Sequence, residues 1–176
     1  MVLSGNTLAV RMGIFGHFET FLHCKFPKHK LVVRNLGWPA DEITRSREGV
    51  LMPRPTGFGN LHEQLAAQKA DLIFACFGLN ESFAGEEGLE EFRSSLDRQI
   101  KHWLAHEYNG TSAPDVVLFT PIAHEDLKSH VLPDGSENNK NLALYTEAME
   151  KVCKAKKVAY VDLFSPSKKL YAAAKT

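Results

Sequence analysis

The sequence predicts an α/β domain with a parallel sheet covered by helices on both faces. Two observations carry that prediction: short runs of continuous apolar residues, and longer stretches between them in which apolar residues recur every three or four positions. Continuous apolar runs suit strands buried on both sides, the longer period suits helices with one apolar stripe, and their alternation is the pattern of βαβ units. A third observation bounds the size. The 176 residues fit one hydrophobic core, and no internal repeat, low-complexity tract or linker-like stretch divides residues 1–176 into two domains.

Five strands are expected in order. Met1 to Ser4 is a stub, followed by Lys30–Asn35, Asp71–Phe77, Asp115–Thr120 and Lys157–Leu163. Parallel strands usually run to about five or six residues, so a stub this short implies a chain that begins inside its own first strand. Between the strands, Thr7–Phe26 places Leu8, Met12, Phe15, Phe18, Leu22 and Phe26 on one helical stripe, stopped by Pro27. Asn60–Lys69 reads as a short helix. Leu89–His106 repeats the stripe through Leu89, Phe92, Leu96, Ile100 and Trp103, and Asn138–Lys156 through Leu142, Tyr145, Met149 and Val152. A last helix, Ser165–Ala174, opens with Ser165 as cap and Pro166 in its first turn. The long connections Leu36–Gly59, Gly78–Gly88 and Pro121–Glu137 each follow a strand, where open α/β sheets bind their ligands.

Composition excludes several function classes. Lys plus Arg and Asp plus Glu both total 21, so no net field steers nucleic acid or an anionic membrane onto the surface. No apolar stretch approaches the ~18 residues of a membrane span, and Met1 is not followed by a signal-like segment; the compartment is left open, cytoplasm by default and export where the N-terminus is truncated. Cys24, Cys76 and Cys153 form no CxxC pair, which argues against a disulfide framework or a structural zinc site, and Cys76 reads as a core thiol. Gly13, Gly16, Gly57, Gly59 and Gly85 form no phosphate-binding loop after a strand, so no nucleotide cofactor is expected.

Three turns after strands hold small and amide residues: Gly5-Asn6-Thr7, Asn35-Leu36-Gly37 and Gly78-Leu79-Asn80-Glu81. In a parallel sheet they meet at one edge. The pattern suits acyl transfer, in which a hydroxyl at a helix start attacks a carbonyl while backbone N–H groups and a side-chain amide hold the oxyanion. Thr7 would supply the hydroxyl, Gly37 and Asn80 the donors.

The order and spacing of these turns resemble the SGNH, or GDSL-type, hydrolases. That family's Gly-Asp-Ser block would match Gly5-Asn6-Thr7, its glycine block Gly37, and its Gly-x-Asn block Gly78-Leu79-Asn80. The resemblance spans nearly the whole chain, and stretches such as RNLGWPADEI, FGLNESFAG and TPIAHEDL look like a divergent bacterial branch. It implies a three-layer α/β/α sandwich around a flavodoxin-like five-stranded parallel sheet in the order 2-1-3-4-5. It also implies ester hydrolysis without cofactor or metal, acting on a small-molecule ester or acylated carbohydrate, with Asn6, Thr7, Gly37 and Asn80 in the site.

Two departures qualify the match. The nucleophile position holds Thr7, whose extra methyl restricts χ1 and crowds the attack trajectory. The family's final Asp-x-x-His block is absent, and the chain ends at Lys175-Thr176 about where it would follow, which implies a C-terminal truncation or a protein that no longer performs the reaction. A pocket kept for binding an acyl group or carbohydrate, without hydrolysis, is the alternative function, and an unrelated flavodoxin-like domain a third.

His124, beside Glu125 and Asp126 in the Pro121–Glu137 loop, is the candidate substitute base; the reading favoured over it is a loop histidine bonded to backbone or packed beneath the loop, since single histidines are usually structural. Thr7 also suits a simple helix cap, and Asn80 with Glu81 a turn cap. His102 and His106 stand four apart on a helix, but with no HExxH glutamate and no third ligand in sight they read as a solvated face. His17 and His23, six apart, suggest no site.

Overall fold

The computed structural model describes residues 1–43 and 60–174. A five-stranded parallel sheet in the order β2-β1-β3-β4-β5 forms its centre. The strands are β1 (Val2–Gly5), β2 (Arg34–Asn35), β3 (Leu72–Cys76), β4 (Asp115–Phe119) and β5 (Ala159–Val161). The expected fold class and strand order are therefore observed. Among the described residues, no helix is long and apolar enough to cross a membrane.

Alternation along the strands builds the two cores, because successive side chains point to opposite faces. Val2, Ile73, Ala75, Val116 and Leu118 face one way, against α3 (Leu61–Ala67), α4 (Leu89–Leu104) and α5 (Ser136–Lys156). There Leu65, Phe92, Leu96, Ile100, Trp103, Tyr145 and Met149 are fully buried, so the stripes read from α4 and α5 are the buried faces. Leu3, Phe74, Cys76 and Phe119 face the other way, against α1 (Thr7–Phe15) and α2 (His17–Lys25). Phe18 seals that layer edge-on against Phe74 at 5.4 Å and Phe119 at 6.0 Å. The last helix, α6 (Phe164–Ala173), packs its Phe164 with Ala123 and Leu142.

Three local expectations are corrected. The single helix expected over Thr7–Phe26 is two, because Gly16 adopts a left-handed backbone (φ 67°) that ends α1 and starts α2. Leu8 and Met12 of α1 and Phe18 and Leu22 of α2 still pack on one cluster, but Phe15 and Phe26 leave the stripe and are exposed. β2 is two residues long rather than Lys30–Asn35. An edge strand pairs only where its neighbour offers backbone groups; Arg34 N–H donates to Met1 O and the Met1 amine to Val32 O, where β1 runs out. The α6 cap is not Ser165: Thr120 Oγ1, at the end of β4, accepts from the N–H groups of Leu163 and Phe164. Residues 44–59 of the Leu36–Gly59 connection, with Gly57 and Gly59, and Lys175-Thr176 lie outside the described residues.

Candidate active site

The register pairs Gly5 with Cys76, so the turns after β1 and β3 leave the sheet side by side. Gly5 (φ 120°) lets the backbones touch: Asn6 N–H donates to Cys76 O at 2.9 Å, and Trp38 N–H donates to Gly5 O at 2.8 Å, which brings in the turn after β2. All three predicted turns thus converge at one carboxyl edge.

Thr7 is the first residue of α1 and half-buried. It is not the cap. Asn6 is, with 2% exposure and its Oδ1 accepting from Leu8 N–H at 3.0 Å. That leaves the Thr7 hydroxyl at a helix N-terminus, where orphan N–H groups and the helix dipole favour developing negative charge. Thr7 and Asn6 open on an apolar cavity of about 540 Å³, walled by Met12, Phe15, Phe18, Leu79 and Ile122. Among the described residues its titratable lining is Arg11, His17 and Cys76. Burial pushes the Cys76 thiol up to about 12, so it is an inert wall. His17, which sequence reasoning set aside, shares this cavity with Thr7; the signal for it was Gly16, which re-aims the residue that follows.

Gly37 packs on the first turns of α1, where a Cβ would stand 2.8 Å from both Ala9 Cβ and Val10 N. Its N–H donates to Asn35 Oδ1 at 2.8 Å, while Asn35 Nδ2 donates to Ala9 O at 2.6 Å. Asn35 therefore pins the Gly37 turn to α1 and occupies the predicted oxyanion donor.

Asn80 precedes a short 3-10 helix, Glu81–Ala84, and makes no side-chain capping bond. The carboxylate beside it performs the anchoring: Glu81 is 5% exposed, and its two oxygens accept from Ile43 N–H at 2.8 Å and Gly78 N–H at 2.9 Å. Burial pushes its pKa up to about 7, the bonds from Ile43 and Gly78 opposing. Glu81 thus ties the Asn80 turn to the stretch after Gly37, a link between two predicted blocks that spacing did not show.

His124 lies away from the cavity lining. Asn139 brackets its backbone, accepting from His124 N–H at 2.8 Å and donating to His124 O at 2.9 Å, and Asn138 Nδ2 stands 2.9 Å from its Nδ1. Gly135 (φ 76°) packs so closely that a Cβ there would lie 2.6 Å from His124 Cγ. Neighbouring Asp126 pairs with Lys128. Position and bonds are those of a histidine packed beneath its loop. His102 and His106 also differ from expectation: both are half-buried and meet the His62 ring, so they do not form a solvated face.

No family model matches the chain, and no curated protein sequence does. Solved structures do. A gut microbial diltiazem-metabolizing enzyme superposes with a TM-score of 0.67 at 13% identity over 94% of this chain, which spans only 36% of that protein. An acetylxylan esterase from Geobacillus stearothermophilus gives a TM-score of 0.62 at 13% identity, covering 96% of this chain and 78% of that one. A carbohydrate acetylesterase family member from Sinorhizobium meliloti gives 0.63 at 14%, covering 92% and 81%. At such identities the likeness establishes a shared fold.

Proposed function

We propose that the chain carries an SGNH-type acylhydrolase site that binds a small acyl or acetyl ester and cleaves it through Thr7. The observation that carries this reading is the place of Thr7, first residue of α1 and part of the wall of an apolar cavity of about 540 Å³, which is room for a small acyl group. The fold shared with an acetylxylan esterase and a carbohydrate acetylesterase supports an acetylated carbohydrate as the substrate class. Thr7 Oγ1 adds to the ester carbonyl and gives up its proton, the alcohol leaves, and water releases the acyl group from the threonine. Asn80 and the N–H groups opening α1 stabilise the oxyanion, joined by Gly37 when Asn35 yields its bond. Within the cavity His17 offers a base; His124 stays structural.

Hydrolysis of p-nitrophenyl acetate tests the reading. Thr7→Ala is expected to lower kcat/KM at least about 100-fold, as loss of a nucleophile does, and Thr7→Ser to equal or exceed the wild type by freeing the attack path. His17→Ala should lower kcat, and His124→Ala should leave it unchanged. Turnover that survives in Thr7→Ala defeats the proposal. A second reading, an acyl- or carbohydrate-binding pocket without hydrolysis, is favoured by the engagement of the Gly37 N–H with Asn35. Covalent labelling of Thr7 by a fluorophosphonate would exclude it.

A further inference from the structure

Away from the Thr7 edge, the fold gathers three imidazoles that the acyl-transfer reading does not use. His62 sits in the first turn of α3, which is fixed by a capping box: Asn60 Oδ1 accepts from Glu63 N–H, and Glu63 Oε2 accepts from Asn60 N–H. His102 lies in the last turn of α4 and His106 just past its end, one helical turn further on. Both rings meet the ring of His62 on α3. The cluster stands about 20 Å along α4 from its start at Leu89, well removed from the carboxyl edge of the sheet.

One ligand nitrogen from each ring lies within 4.8 Å of the other two. His102 Nε2 is 3.1 Å from His62 Nδ1, and ring centroids are 4.3 Å apart for His102 and His106, 4.5 Å for His62 and His106 and 4.9 Å for His62 and His102. His106 Nδ1 stands 2.6 Å from His102 O. A carbonyl only accepts, so Nδ1 carries the proton and Nε2 presents its lone pair, the arrangement that orients ligating histidines. Tyr108 completes the wall, its hydroxyl 3.1 Å from His62 Nδ1 and its ring stacked on His106 at 5.7 Å.

One nitrogen of each ring lies close enough to the other two for a single divalent ion that prefers nitrogen to be held by all three. Zinc holds histidine nitrogens at about 2.0–2.1 Å in a tetrahedron, which places them about 3.3 Å apart, close to the 3.1 Å between His62 and His102. The all-imidazole set, without carboxylates, disfavours magnesium and calcium. We propose that His62, His102 and His106 form a zinc-class metal site, its fourth position filled by water, that clamps α3 to the end of α4.

The test uses the chain freed of metal with a chelator and titrated with Zn²⁺ by calorimetry and with Co²⁺ by visible absorption. One ion per chain is expected, with the intense absorption of four-coordinate Co²⁺ and, at saturating Zn²⁺, a melting temperature raised by about 5 °C. His102→Ala and His106→Ala should each lose that equivalent and the thermal shift, while His130→Ala, in an exposed loop, keeps both. Circular dichroism of the metal-free variants checks their fold; where His102→Ala fails to fold, His106→Gln decides in its place. A wild type that takes up no Zn²⁺ at one equivalent, or folded triad variants that bind as the wild type does, overturns the proposal. Because its readout is metal uptake, the result is independent of Thr7-dependent esterase activity.

Discussion

Gly5→Ala is expected to cost about 4 kcal/mol or more, a large share of the stability of a domain this size. Gly5 holds φ 120°, which L side chains rarely adopt, and a Cβ built there falls 2.0 Å from Cys76 O, inside the backbone of the neighbouring strand. No rotamer change relieves that contact, so β1 and β3 must separate where Asn6 N–H meets Cys76 O and Trp38 N–H meets Gly5 O. Relief would therefore come from disassembling the junction of the three turns. Gly16→Ala is the matched control. It also has positive φ, 67°, but nothing lies within 4 Å of its Cβ, so only the left-handed backbone penalty applies, about 1 kcal/mol. Urea unfolding of both variants checks the pair. Equal costs would refute the steric argument, whereas loss of cooperative folding in Gly5→Ala alone is the result anticipated.

The contrast between these two glycines shows what the sequence discloses and what it hides. Periodicity reports burial averaged over a whole element, and it correctly marked the faces of α4 and α5, from Phe92 to Trp103 and from Leu142 to Val152. It does not report a break one residue long. Gly16 sits inside an unbroken apolar rhythm, so one helix was expected where a left-handed turn makes two. The edge strand β2 hides for a different reason, since its length depends on where β1 stops offering partners rather than on the apolar character of Lys30–Val33. Positions adjacent in sequence to a strand end were legible: Asn6 and Thr7 directly follow β1, Gly37 follows β2 and Asn80 follows β3. Groups assembled across elements were not. His62 is 40 residues from His102, and Glu81 is 38 from the Ile43 N–H it accepts from, so no local motif announces either.

Glu81 gives the second large effect, and it depends on pH. Its folded pKa of about 7 lies above the ordinary 4.5, so between those values the folded protein binds more protons than the unfolded chain. Stability must then fall as pH rises through that window and level off above it. The full swing is about 3 kcal/mol for a group this buried. The lowered carboxylates Asp97, Asp134 and Glu147, whose principal causes are bonds from Lys156, Ser136 and Lys151, give the opposite slope, confined to pH values below their ordinary ones. Glu81→Ala strands the buried N–H groups of Gly78 and Ile43, each worth about 1–3 kcal/mol, and removes the pH term with the carboxyl. The expected cost is about 4 kcal/mol at pH 5, where the wild-type carboxyl is neutral, shrinking to about 1 kcal/mol at pH 8, where the buried charge already destabilises the wild type. Denaturant titrations of both proteins across this range measure the difference. A cost independent of pH would mean that Glu81 is ionised throughout and anchors the Asn80 turn as a charge; the predicted decline would mean that it anchors the turn best as a neutral acid, so that the turn bearing Asn80 loosens as the solution becomes alkaline.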